Sequence, residues 1–501
     1  MRRRDFVKTA LGAAALWPAG SLLGRRLLAA AEVSTDVPAV NLDGAATTLL
    51  RAEVAELADS LRGTVLLPGQ AGYDEARRVW NGMFDKRPAL IARCAAPSDA
   101  MLAVTFARQH RLLTAVRGGG HSLSGKSTCD GGLMIDMSAM QSVRVDPVAR
   151  VARVESGALL GHLDRETAAF GLVTTAGTVS DTGAAGLTLG GGFGRVGRRF
   201  GLTCDNLRSV DIVTADGRLL TASDEQNREL FWGLRGGGGN FGVATSFEYR
   251  LHAMNPTVLG GDVLWPLEQA RDVLRFYADF SMQAPDELNL DPSLFAPPGG
   301  PPLLGIEMCW SADHAAGEQA MRALRSFGKP IADSVAPIAY VKLQKSKDAH
   351  TPPGVRIYTK SGFIADLASA VDVLLDAYRS MTPGTGAVLM QHGGGAVNRV
   401  ALDATAFPNR NVKHWVMVNA VSRSPAEDAA RIAEVRAAWK SVEPLTRGFY
   451  VNAMSEEEYK KVDANYGRNY PRLVALKTKY DPGNLFRLNA NIVPKAATAR
   501  V

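Results

Sequence analysis

Three glycine-dense segments constrain this chain more than anything else in it: RGGGHSLSG at 117–125, GAAGLTLGGGFGRVG at 183–197 and RGGGGNFG at 235–242. Without a Cβ, glycine lets backbone N–H groups approach a ligand closely and point inward as a nest for anions. Any one of these segments could be a surface turn. Three together, in a chain whose 50 glycines cluster rather than recur with a period, point to loops that hold a large, extended, phosphate-bearing ligand, because leaving that much chain unordered gains nothing.

The loops sit in a recognisable frame. Residues 46–62 have helical patterning and 63–85 read as a connecting layer. A βαβ pattern follows: a strand at 89–93, a helix opened by Pro97 with Leu102 and Phe106 on one face, and a strand at 113–117 that runs straight into the first glycine loop. Further strands fall at 132–136, at 143–145 and 151–154 as a hairpin around Asp146-Pro147, and at 210–214. From about Pro256 the texture changes. Strands at 258–264, 303–309, 387–390 and 415–421, with helices at 314–327 and 425–442, do not alternate as βαβ units, so they predict an antiparallel sheet with helices on one face. The fold class is α+β. The expected division is a signal at 1–31, a connecting segment at 32–79, a ligand-binding domain at 80–255, a substrate domain at 256–445 and a C-terminal segment at 446–495 that docks back.

Charge supports this division. The formal net charge is +7, yet Arg2, Arg3, Arg4, Lys8, Arg25 and Arg26 against Asp5 place five of those charges in the first 31 residues. The nearly balanced remainder, with no basic run, argues against nucleic acid as a partner. Arg3-Arg4-Asp5-Phe6-Val7-Lys8, the apolar stretch 9–23 and Ala29-Ala30-Ala31 read as a twin-arginine signal cleaved near Ala31, and so as export to the periplasm or beyond through that machinery. Pro18 and Gly20 interrupt the apolar stretch, which falls short of the roughly 20 residues that span a bilayer. Cys94, Cys129, Cys204 and Cys309 have no C-x-x-C spacing, so no metal site is expected, and buried free thiols are the favoured reading.

Gly192-Phe193-Gly194-Arg195-Val196-Gly197 matches the G-x-G-x-x-G string of dinucleotide-binding folds, with Asp216 downstream. That fingerprint must follow a strand and open a helix. Residues 182–189 have no β-branched run and 195–206 are polar and broken by Gly201, so the match is read as accidental.

Taken with their order, RGGGHSLSG, AGTVSDTGAAGLTLGGGFGRVGRRFGLTCDN, FWGLRGGGGNFGV and YDPGNLFRLNANI give the chain a resemblance to the berberine-bridge-enzyme-like branch of the FAD-linked oxidases, from Trp80 to Ile492. That family's flavin domain is of the vanillyl-alcohol-oxidase type, built in two parts around a central substrate domain with an antiparallel sheet. The resemblance implies FAD as cofactor. It places His121 where the family's histidine bonds the flavin 8α-methyl carbon, Arg117, Gly118, Gly119, Gly120, Ser122 and Gly125 around the phosphates, Thr182, Gly183, Gly186, Gly191 and Gly192 along flavin and pyrophosphate, Val243 at adenine through its backbone, and Asn489 and Asn491 over the isoalloxazine. Where many members carry a second flavin-linking cysteine this chain has Val179, so attachment through His121 only is expected.

For chemistry, the resemblance places Tyr450, in Tyr450-Val451-Asn452, near the reactive edge of the flavin, with Asn452 beside it. A phenol there could accept a substrate proton if a cation such as Arg399 lowered its pKa from about 10. Arg399 aligns where plant members place a catalytic glutamate, so that base is not carried over. His392 and Gln391 are further pocket candidates. The resulting expectation is an exported oxidase that takes hydride from a small organic substrate (sugar, alcohol or amine) and passes electrons to dioxygen, with Thr182 near the proposed oxygen gate. Its rivals are a dehydrogenase using a quinone or other acceptor and a flavin-binding protein without turnover.

Overall fold

The computed structural model describes residues 35–495 apart from 351, 412 and 456–460; the expected signal at 1–31 lies outside the described residues. The βαβ reading is realised as a four-stranded sheet in the order Thr64–Leu66, Leu90–Arg93, Leu133–Asp136, Thr114–Arg117, the last three parallel. Pro97 opens the helix Pro97–Gln109, where its missing N–H costs nothing. This helix packs its alanines and Phe106 into a core that also takes Leu485 and Phe486 from the far end of the chain. A second, antiparallel sheet of five strands, Leu219–Ser223, Leu207–Val213, Val243–Arg250, Val151–Glu155 and Val143–Asp146, stands beside it. The helical pattern at 46–62 is only partly realised. Residues Ala46–Leu49 form a strand paired with Val37–Val40, as the β-branched Thr47-Thr48 favour, and the helix begins at Arg51.

Beyond Pro256 the chain builds one large antiparallel sheet, with the order Ala332–Asp333, Thr257–Pro266, Leu303–Trp310, Leu288–Phe295, Gly386–His392, His414–Ser422, Arg356–Ile364, Thr446–Arg447. Leu288–Phe295 and Arg356–Ile364 are strands that the sequence reading passed over, as are the helices Ala270–Gln283 and Leu367–Arg379. These helices, with His314–Arg325 and Asp428–Val442, cover one face. Asp313 and Asp366 cap two of them by accepting N–H bonds from Ala316 and Ser369. Under the helices lies a core of Val388, Met390, Val416, Val418, Leu290 and Ile306, among others. The opposite face turns toward the glycine loops: Phe363 and Trp415 belong to the same core as Tyr450 and Phe407. All four cysteines are buried free thiols.

Candidate active site

The glycine loops meet one another through their backbones. A Cβ on Gly119 would stand 2.4 Å from Gly183 Cα, and one on Gly183 would stand 2.6 Å from Gly119 N, so neither position tolerates a side chain. Gly183 begins the short helix Ala184–Leu189, whose Gly186 faces open space. The third loop is fastened to the end of that helix by the N–H groups of Gly236 and Gly238, both donating to Leu189 O. It is fastened to the C-terminal segment by Asn240, which donates to Ala490 O and accepts from Ile492 N. Asn489 in turn donates to Gly239 O at 3.1 Å. The G-x-G-x-x-G string follows a helix rather than a strand, so it is not a dinucleotide fingerprint.

Trp80 and the first loop hold His121. The two rings stack at 4.1 Å, and Trp80 N donates to Gly120 O. His121 Nε2 lies 3.6 Å from Asp181 Oδ1, beyond hydrogen-bonding reach, and both atoms are buried without a partner. Burial lowers the imidazole to about 4, so it is neutral and nucleophilic; burial, and then Asp348, raise the carboxyl of Asp181. Asn489 Oδ1 and Asn491 Oδ1 are likewise buried without a hydrogen-bond partner, as is Arg117 Nε, which has only the Asp136 carboxylate at 3.9 Å. Each such atom costs on the order of 1–3 kcal/mol unless a ligand satisfies it. A cradle of touching glycine backbones rimmed by unsatisfied donors and acceptors fits a large polar group with phosphates and a heteroaromatic ring. Of the other expected cradle residues, Ser122 Oγ accepts from Lys126 N, Gly125 sits under Phe84, Thr182 O accepts from Leu160 N, and Val243 has its side chain in the core. Arg117 also braces the cradle from below by donating to Ala76 O.

Comparison with known proteins agrees with this geometry. An FAD binding domain model matches residues 88–223, and a "berberine and berberine like" model matches 449–493. An FAD-linked oxidoreductase of Dictyostelium discoideum is 33% identical over 88% of this chain and 97% of its own length. The (R)-6-hydroxynicotine oxidase of Paenarthrobacter nicotinovorans is 31% identical over 87% of this chain and 98% of its own length. This chain is an FAD-linked oxidoreductase of the berberine-bridge-enzyme-like family. Among solved structures, a 6-hydroxy-D-nicotine oxidase from Arthrobacter nicotinovorans superposes with a TM-score of 0.78 at 28% identity, covering 86% of this chain and 98% of that one. A chitooligosaccharide oxidase shares the fold, with a TM-score of 0.78 at 24% identity over 89% of this chain and 100% of that one.

In this family member the aromatic end of the site is built around Tyr450. Its hydroxyl accepts from Gly192 N at 3.0 Å and from Asn452 Nδ2 at 2.8 Å, and Asn452 also donates to Leu187 O. The ring meets Phe193 and Trp415 edge-on, each at 5.3 Å. Burial raises the phenol to about 12. Arg399 does not relieve this, because its side chain is exposed and paired with Asp286 at 2.6 Å. The expectation of a phenolate made by Arg399 is therefore corrected: Tyr450 is a neutral phenol at ordinary pH.

His392 is corrected too. Side chains alternate between the faces of a strand, and His392 falls on the helix-covered face, 5.6 Å from the parallel ring of His414 and close to Tyr277. Its Nε2 meets Arg198 Nη1 at 2.9 Å and Ser281 O at 3.1 Å. Burial, then Arg198 and His414, push it well below the usual imidazole range. His392 is a buried structural residue, whereas its neighbour Gln391 lies on the face toward the glycine loops.

That face carries residues that sequence reasoning missed. Strand register places Asp262 opposite Glu307, Glu307 opposite Asp291, Gln391 opposite Trp415 and Trp415 opposite Phe363. Continuing the Ser293–Leu389 pairing by two residues brings Gln391 opposite Asp291, where Asp291 Oδ1 accepts from the adjacent His392 N. One row of side chains thus crosses the sheet, acidic at one end and aromatic at the other. At the acidic end Arg195, 0% exposed, forms two hydrogen bonds to Glu307, at 2.6 and 3.0 Å. It also donates to Thr178 O and Gln344 Oε1. Lys347 adds 3.1 Å to Glu307 and 3.0 Å to Asp262. Burial raises Glu307, but Arg195 and Lys347 together bring it below its usual value.

Proposed function

We propose that the chain is an exported oxidase that carries FAD bonded through His121 alone, takes hydride from a small organic substrate and passes the electrons to dioxygen. The observation that carries this reading is the neutral, stacked His121 at the rim of the glycine cradle, with the unpartnered Asp181 carboxyl beside its Nε2. A neutral imidazole keeps one nitrogen lone pair free to bond carbon, with the Asp181 carboxyl 3.6 Å from Nε2. Cys204, the nearest cysteine in sequence to the second loop, hangs behind Gly191 with its thiol turned to Asp205, which supports a single link. Bound in the cradle, the flavin supplies a two-electron acceptor for hydride. Residues 118–125 and 183–192 would hold its phosphates and ring, Asn489 and Asn491 would close over it, and Tyr450 with Asn452 would stand between it and the substrate sheet. A relative 31% identical to this chain is an (R)-6-hydroxynicotine oxidase, which acts on a small molecule.

The test is direct. Acid-precipitated wild-type protein is expected to stay yellow, while His121→Ala releases its flavin entirely; free flavin from the wild type would overturn the bond. Photoreduced holoenzyme is expected to reoxidise in air within seconds. If it stays reduced until a quinone is added, the protein is a dehydrogenase. Export, proposed from the twin-arginine motif, predicts a mature N-terminus near Glu32, and exported protein that still begins at Met1 would exclude cleavage.

A further inference from the structure

The loop-facing side of the central sheet is half-open along Ala387, Leu389, Gln391, Met417, Asp291 and Ser293, while the alternate residues on the same strands are buried. Among these half-buried residues Asp291 is the one carboxylate. Glu307 beside it is matched by Arg195 and Lys347, but Asp291 is held only by neutral donors, the His392 N–H at 3.0 Å and the Asn289 side chain. A half-buried carboxylate whose hydrogen-bond donors are all neutral, on a face that carries Leu389, Gln391 and Met417 beside it and aromatic rings two strands away, calls for a positively charged occupant or a proton. Two strand spacings of about 4.8 Å separate it from Trp415, against which Phe193 lies parallel at 6.2 Å and Tyr450 edge-on at 5.3 Å. That span matches an arylalkyl or bicyclic amine, with its ring at the aromatic end and its nitrogen at Asp291.

We propose that Asp291 binds the protonated nitrogen of a compact arylalkyl or bicyclic amine and accepts its proton as the amine is oxidised. The inference rests on the flavin-oxidase reading and names its substrate class. Oxidation removes one proton from nitrogen and one hydride from the neighbouring carbon. The proton goes to Asp291 and from there to solvent, and the hydride with its electron pair goes to the flavin and on to dioxygen, which takes up one proton from solvent and leaves as hydrogen peroxide. The C–N bond becomes an iminium that water hydrolyses. Burial first, and then the charge of Glu307, push the Asp291 carboxyl up to about 7, while the His392 N–H, Arg195 and Asn289 pull the other way. A group near 7 can both take and release a proton at ordinary pH.

Two measurements on holoenzyme test this. Benzyltrimethylammonium, which cannot form an imine, is titrated by calorimetry. Wild type is expected to bind it at least about tenfold more tightly at pH 8 than at pH 5.5, and Asp291→Asn to bind about tenfold more weakly at pH 8 with no pH dependence. The double variant Asp291→Asn/Gln391→Glu, which returns a carboxylate one strand away, should recover part of the affinity. Equal binding by wild type and Asp291→Asn overturns the proposal. Anaerobic flavin reduction is then followed with arylalkyl and cyclic amines, benzyl alcohol and oligosaccharides. Amines should reduce the flavin, and Asp291→Asn should slow this by about 10²-fold or more. Reduction by alcohols or sugars alone overturns the amine assignment and leaves the oxidase standing. If no class reduces it, the oxidase reading fails and the calorimetry alone decides the role of Asp291.

Discussion

On the strand Gly386–His392, consecutive residues belong to different worlds. Val388, Met390 and His392 point under the helices, fully buried, while Ala387, Leu389 and Gln391 point toward the glycine loops and stay half-open. The same alternation runs through Leu288–Phe295. On the covered face even the polar groups are shut away from solvent: His392 meets Arg198 and Ser281 through Nε2 and stacks on His414, while its Nδ1 is buried without a partner. On the loop face the polar groups are held at one side only, as Asp291 is, or bridge to the other domain, as Glu307 does to Arg195. One face is closed by the helices and packed for stability. The other leaves Asp291 half-buried with neutral donors alone.

Three substitutions can break or sharpen that contrast. The largest expected effect is at the seam. Arg195→Met leaves Glu307 buried with only Lys347 as partner, and breaking a buried pair typically costs about 3–5 kcal/mol. Denaturant unfolding should show that loss, and Arg195→Met/Glu307→Gln should regain part of it; a loss below about 1 kcal/mol would mean the two domains do not depend on this tie. Next is His392→Leu on the covered face. It should cost about 1–3 kcal/mol through the acceptor taken from Arg198, while flavin reduction stays within about threefold of wild type. Large damage to turnover with stability intact would move His392 to the functional face. Smallest is Tyr450→Phe, which removes the acceptor for the Gly192 N–H and Asn452. It should cost about 1 kcal/mol and slow reduction by about tenfold, by the same factor at every pH from 6 to 9, because the phenol titrates near 12. A loss that grows with pH and has a midpoint below 9 would reveal a phenolate and restore Tyr450 as the base.

Much of this was legible beforehand, for physical reasons. Glycine clusters mark backbone contact, so the loops at 117–125, 183–197 and 235–242 announced the cradle, and the order of motifs carried the family. The antiparallel sheet beyond Pro256 followed from strands without βαβ succession. What escaped notice depended on pairing. Leu288–Phe295 alternates leucine with Asn289, Asp291 and Ser293, a period-two signal that Pro292 disguises, and only the register with Leu303–Trp310 and Gly386–His392 gives Asp291 its neighbours. Arg195 was visible inside a discarded string, but nothing local says that Glu307 waits for it. Gln391 and His392 could not be ranked from sequence, since a strand's period fixes that they face opposite ways without fixing which way is inward.

The cradle also has an order in time. Asn240 is joined to Ala490 across a separation of 250 residues, and Arg487 reaches back to Leu42 across 445. Lys477, wholly buried, gathers Asn240 O, Phe486 O and Asp481 with its three protons. Chains emerge from the ribosome N-terminus first, so the wall that carries Asn489 and Asn491 is among the last parts to exist. Until then the third glycine loop lacks the hydrogen bonds that Asn489, Ala490 and Ile492 bring to it. The two walls of the cradle are thus separated in synthesis by the whole central sheet, which must be made before they can meet.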